Sequence, residues 1–320
     1  MPISIRESGT ADGIPVSPGR QDVSDRAIPA IDDDAAAVDM FTPTQSVAAR
    51  FRRNKLSIFG AVIVAVAVAA ALFAPWLSPL DPDAVDARSR LAPIGTEGHL
   101  LGSDELGRDI LSRLIWGARV TLLVSLSATA IALIVGTFLG LIGGYFLGWL
   151  DSVIMRLIDV LMAFPYFLLA LTVIAVLGPG LLNGMIAVAL VNIPFFTRIV
   201  RGVTLSIRES DYVMAARGIG ASNTRILVRH VLLNCVSTVI VAGTLNIGWM
   251  ITAAAALSFL GLGVQPPTSD WGTMLSSGRQ FLSAAPHVAT LPGLAIFITV
   301  LGFNLLGDGL RDALDPRLRE

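Results

Sequence analysis

The chain alternates long apolar runs with short polar interruptions. Apolar stretches occupy residues 56–74, 120–144, 160–177, 181–201, 231–257 and 288–306. A helix that crosses a bilayer needs about 20 predominantly apolar residues, so the pattern predicts six transmembrane helices and an all-α membrane protein. Arg50, Arg52, Arg53 and Lys55 precede the first run, which stops at Pro75-Trp76. Positive charge gathers on the cytoplasmic side, so the chain enters the membrane from the cytoplasm and six spans place both termini there. Residues 75–119 then form an outer loop and residues 202–230 a cytoplasmic one.

Gly136, Gly140 and Gly144 recur every four positions in the second run. They fall on nearly one helix face and predict close packing against another span. Residues 160–197 carry no charge and are too long for one helix; Gly178-Pro179-Gly180 divides them into spans three and four. Pro165 predicts a kink near the cytoplasmic end of span three. Two readings of it stand: a moving gate, or an ordinary membrane-helix proline. Residues 1–45 are rich in Gly, Pro and Ser, with an acidic cluster at Asp32-Asp33-Asp34. With no apolar periodicity they read as a disordered cytoplasmic extension, either a regulatory tail or a dispensable leader.

Composition narrows the function classes. Hydrophobic residues make up 54% of the 320 and charged residues 15%; the net charge of −1 says nothing about partners, and no nucleic acid is expected among them. The single cysteine, Cys235, excludes an internal disulfide, and three scattered histidines offer no metal spacing. The apolar runs hold almost no ionisable groups; only Arg156 and Asp159 come near, at the cytoplasmic edge. Proton-driven carriers and voltage sensors need such groups at depth. Lys55 is the only lysine, outside any phosphate-cradling loop, so no nucleotide site is expected. No hydrolase motif is present, and Ser258 and His287 are separated by a loop, so the chain is not read as an enzyme. If a solute moves uphill, the energy enters through a partner. The alternative, an ATP-independent secondary carrier or channel, predicts buried ionisable groups or inverted repeats with broken helices, and neither is visible.

The interruption from Arg198 to Arg229 carries the strongest signal. Asp211 to Gly220 has the composition of a short helix with an acidic start and a glycine end. Ser222 or Asn223 then caps a second helix leading into span five. The two form a rigid knob, with Ala215, Ala216 and Gly220 small enough to let another surface approach.

Ala215-Ala216, Gly220 and Arg229-His230-Val231-Leu232-Leu233-Asn234 resemble the "EAA" loop in permease subunits of bacterial ABC importers. The run His99 to Arg113, with Gly117-Ala118-Arg119, Ser258 to Gly263 and Trp271-Gly272, is similar to the C-type permeases of dipeptide, oligopeptide and nickel importers. The likeness covers about residue 46 to the end. It implies a type I ABC importer permease: a six-helix domain at 46–320 in the bacterial inner membrane, paired with a second, unlike permease. Two ATP-binding subunits holding ATP and Mg, and an extracytoplasmic solute-binding protein, complete the expected assembly. This chain would bind no cofactor itself. A pathway would form between the permeases, and ATP-driven closure would swing their helices between inward and outward states.

The resemblance marks Arg208, Glu209, Asp211, Tyr212, Ala215, Ala216, Arg217, Gly218, Gly220 and Ala221 as the surface that meets an ATPase. For the glycines the alternative reading is ordinary turn chemistry, which would hold without a partner. Met214 stands where the family has glutamate, and Leu233 where it has proline, which puts the loop's stiffness or choice of ATPase in question. In the outer loop, Gly102, Asp104, Gly107, Arg108 and Asp109 are open to two readings, an internal brace or a docking site for the binding protein. Asp109 and Arg113, four apart, are expected to pair on a helix.

Overall fold

The computed structural model describes residues 51–52 and 54–314. The extension expected at residues 1–45 lies outside them. The described residues form helices, turns and two isolated bridges, with no ladder strand among them.

Helix α1 (Lys55–Leu72) starts where the Asn54 side chain accepts the amides of Leu56 and Ser57 at 3.1 and 3.3 Å, and a four-residue α2 (Ala74–Leu77) follows. The next helix, α3, runs from Ile110 to Phe146. Its 37 residues reach about 55 Å at 1.5 Å per residue, well beyond the bilayer's apolar core. The sequence placed residues 110–119 in the outer loop, and here the structure corrects it. Asp109 caps the helix at Ser112, and the arginines that looked like loop residues find contacts from positions on the helix itself. Arg113 is paired and buried, and Arg119 lies over the Trp116 ring at 5.5 Å.

A second correction concerns span three. A helix bent by 94° replaces the single kinked one, with α4 at Gly148–Ala163 and α5 at Tyr166–Leu177. Pro165 has no amide to donate, and it holds Phe164 extended (φ −90°, ψ 138°), so the helix breaks rather than bends. Helix α6 (Leu181–Arg208) continues seven residues past the expected end at 201. Then come α7 (Asp211–Gly218), α8 (Asn223–Ile226), a π-helical turn at Leu227–Leu232 and α9 (Leu233–Phe259). From Asn223 to Phe259 the helix is continuous, so the expected start at 231 was eight residues late. A short α10 (Trp271–Gly278) and the long α11 (His287–Leu314) finish the fold, and α11 outruns its expected end at 306. Among the described residues five helices are long and apolar enough to cross a membrane, and the count reaches six with the bent pair taken as one span.

Helices α3 and α6 form the most extensive contact, and the glycine stripe is the reason. A Cβ at Gly136 would sit 2.6 Å from Phe196 Cβ, one at Gly140 2.7 Å from the Thr197 carbonyl, and one at Gly144 2.8 Å from Thr204 Cβ. Water drives no association between helices inside lipid, so backbone approach of this kind supplies the packing. Asp270 staples two elements. It caps α10 through the amides of Gly272 and Thr273 and accepts the Thr121 hydroxyl of α3 at 2.8 Å. Burial pushes its carboxyl upward, against the lowering by these hydrogen bonds.

Candidate functional site

Three polar regions stand out from the apolar frame: the knob between α6 and α9, the segment before α3, and a cleft halfway along α6 and α9. The knob begins where α6 ends. After Glu209, Ser210 opens α7, and α7 closes with a left-handed glycine. Gly220 (φ +84°) donates to the Arg217 carbonyl at 2.9 Å, and Ala221 donates to Ala216 at 3.0 Å. These two bonds satisfy the last carbonyls of the helix. Ser222 then caps α8 by accepting the Arg225 amide.

The knob is fastened from beneath. Val213, Ala216 and Ile226 are buried with Leu141, Tyr145, Val200 and Val231. Tyr145 of α3 donates to Asn223 Oδ1 at 2.9 Å, and the Arg217 guanidinium lies 5.2 Å from its ring centre. Of the residues the sequence singled out, Glu209, Asp211, Tyr212, Ala215, Arg217, Gly218 and Gly220 are exposed, and Arg208 and Ala221 are half-buried. Ala216 is only 7% exposed, so it belongs to the anchor and not to the outer face. Two apolar side chains missing from the sequence's selection, Met214 (52% exposed) and Ile219 (87%), project from the knob. Met214 was legible, being one helical position round from the buried Val213; Ile219 was not, since it lies beyond the last residue of α7, where helical periodicity gives no direction.

The segment before α3 is arranged in the opposite manner. Asp104 accepts the amides of Leu106 and Arg108 at 2.9 Å, and its other oxygen accepts Arg108 Nε at 2.7 Å. Arg113 Nε lies 3.4 Å from that second oxygen. Asp109 does not pair with Arg113 as the spacing predicted. As the helix cap, it accepts Ser112 at 2.8 Å and stands 3.2 Å from His99, while Arg113 turns to Asp104, Asp83 and the Pro82 carbonyl. Asp104, Arg108, Asp109 and Arg113 are all less than a tenth exposed. Gly107 (φ +78°) must be glycine, because a Cβ there would overlap the Asp86 carbonyl; at Gly102 a Cβ would crowd His287.

The third region is a cleft of about 700 Å³ between the α4–α5 elbow and helices α6 and α9. Phe164, Tyr166, Asn192, Arg198, Asn246 and Trp249 are among its lining residues. Tyr166 stands edge-on to Trp249, ring centres 5.6 Å apart. Arg198 at the lip is held by Asp159 at 2.6 Å, and nearby Arg201 grips Asp151 through two bonds of 2.6 Å, so α4 is clamped to α6. No sequence signal pointed to Asn192 or Asn246, since an isolated amide in an apolar run does not say which way it faces. Among the described residues, no group of three or more His, Cys, Asp and Glu side chains could hold a metal ion.

A stack of apolar spans with an anchored, exposed knob between two of them is the layout of a membrane subunit. The comparisons agree. Residues 132–320 match the model of the binding-protein-dependent transport system inner membrane component, and residues 42–93 that of the N-terminal membrane domain of oligopeptide transport permease C. The chain is 49% identical over 278 residues to the glutathione transport system permease protein GsiD of Escherichia coli O157:H7, spanning 87% of this chain and 92% of the relative. Its counterpart in Shigella dysenteriae serotype 1 (strain Sd197) is 48% identical over the same coverage. Among solved structures, an inward-facing form of the MetNI methionine ABC transporter aligns with a TM-score of 0.52 at 17% identity, covering 63% of this chain and 96% of that one. This likeness shows the fold.

The chain belongs to the family of binding-protein-dependent transport system inner membrane components. It is a multi-pass permease subunit of an ATP-driven importer, not an enzyme, and the secondary-carrier alternative falls away. Such a permease works with ATPase, substrate-binding and second permease partners.

Proposed function

We propose that this permease carries short peptides or closely similar solutes inward across the bacterial inner membrane, with both of its termini in the cytoplasm. Its 49%-identical relatives are glutathione transport permeases, which supports a small peptide as cargo. An unlike second permease completes the pathway, two ATPase subunits seat on the cytoplasmic side, and an extracytoplasmic binding protein delivers the solute. The chain itself holds no cofactor; ATP and Mg belong to the ATPases.

The observation that carries this reading is the knob. Met214 and Ile219 are exposed on an element pinned firmly to α3 and α9, which suits a part that must transmit force without yielding. Arg208, Glu209, Asp211, Tyr212, Ala215, Arg217, Gly218 and Gly220 surround these two side chains and form the docking face. The buried carboxylate–arginine cluster around Asp104 braces the outer segment, and binding-protein contact falls to exposed neighbours such as Leu100 and Leu106. The elbow at Pro165 is where the helices beside the cleft reorient.

The test is co-purification from membranes in mild detergent with the tagged chain as bait. Wild type brings down the ATPases and the second permease. Ile219→Asp loses the ATPases and keeps the permease. Full retention of the ATPases by this variant, and by Met214→Asp, would refute the docking face.

A further inference from the structure

Asn192 and Asn246 meet at the centre of the membrane-spanning region. Asn192 lies about 16 Å along α6 from its Leu181 end, and Asn246 about 20 Å along α9 from its Phe259 end, so both sit near the midplane of a bilayer core about 30 Å thick. Asn246 Nδ2 donates to Asn192 Oδ1 at 3.3 Å, and Asn192 Nδ2 turns to the Met250 sulfur at 2.8 Å. Asn246 is only 6% exposed and lines the cleft, yet its Oδ1 has no hydrogen-bond partner.

An acceptor buried at this depth without a donor is costly. Lipid tails offer no N–H or O–H, so an acyl chain in the cleft would leave the cost in place. If the amides served only to join α6 to α9, the bond between them would suffice and the free oxygen would have no purpose. The cleft's volume falls within the range of small-molecule sites, about 300–1,000 Å³. A peptide group carries one donor and one acceptor, which is what a carboxamide matches. The rings of Tyr166 and Trp249 supply an apolar wall for side chains of any kind, and neutral amides read the backbone without selecting its charge.

We propose that the Asn192–Asn246 pair is a substrate-contacting site of the pathway, with Asn246 Oδ1 accepting a backbone N–H of the peptide in transit. This rests on the peptide reading above. The contact is weak by design, because a solute held tightly at the midplane would not leave.

The test uses the complete importer in proteoliposomes, with tri-L-alanine and S-methylglutathione as probes. Asn246→Cys is placed in a Cys235→Ser background and labelled with a membrane-impermeant maleimide. The proposal expects labelling that slows saturably with either peptide. It also expects an uptake rate about tenfold lower in Asn246→Leu and restored in part by Asn246→Gln. Uptake by the wild type combined with peptide-indifferent labelling overturns the assignment and leaves the peptide reading intact. A wild-type complex that imports neither peptide overturns both. If Asn246→Leu lowers thermal stability while its uptake stays normal, the pair is only a helix fastener and the proposal fails.

Discussion

The segment before α3 and the knob after α6 are both polar interruptions between membrane helices, yet they spend their polar groups differently. Before α3, Asp104, Arg108 and Arg113 turn inward and pair with one another, while Asp109 is taken up by Ser112 and His99. In the knob, charges face outward while a few contacts beneath, chiefly Tyr145, Val213 and Ile226, hold it in place. Charge in a loop therefore does not by itself mark a docking surface. What marks one is exposed apolar area on a rigid mount, as at Met214 and Ile219.

The contrast can be broken most severely at Arg108. Arg108→Ala removes the nearest cation from the buried Asp104 carboxylate, leaving it Arg113 and two amides, and a loss of about 3 kcal/mol is expected. Thermal unfolding of the detergent-solubilised subunit measures it; a loss of only a few tenths would mean the cluster is not a brace. Next comes Asp270→Ala, which removes a helix cap and leaves the Thr121 hydroxyl without its acceptor, at about 2 kcal/mol by the same assay. Tyr145→Phe deletes one hydrogen bond under the knob, about 1 kcal/mol, while leaving the ring beneath Arg217. Its larger effect is expected in function, as ATP hydrolysis less tightly tied to uptake in proteoliposomes. Equal coupling in the variant and the wild type would show that the bond transmits nothing. The smallest stability effect belongs to Met214→Glu, which restores the family's residue at an exposed site and should stay within about 0.5 kcal/mol. That variant sharpens the comparison, since any change in ATPase retention then reports docking and not folding.

Much of the architecture was legible because its causes are local. The stripe of Gly136, Gly140 and Gly144 announced close packing, and Gly220 announced the end of α7, since each depends on backbone geometry that few other residues permit. The start of α3 was not legible. Arg113 and Arg119 look like loop residues until their partners, Asp104 and the Trp116 ring, are seen in three dimensions. The 94° elbow was underestimated for a similar reason: proline marks a disturbance, but α4's clamp to α6 through Asp151–Arg201 and Asp159–Arg198 is tertiary. The knob was visible as a motif, yet its working face was not, because Ala216 turned inward and Ile219 outward. The Asn192–Asn246 pair left no trace in the sequence, since two amides 54 positions apart carry no sign that they meet.

The most direct test of the account is a cross-link from the tip of the knob. In the assembled importer with Cys235→Ser, Ile219→Cys carries a short photoactivatable cross-linker, and the products are mapped by mass spectrometry with and without ATP. The account predicts a product joining this chain to an ATPase subunit, with a yield that changes when ATP binds. A complex that transports its solute yet gives no product with the ATPase from this position would contradict it.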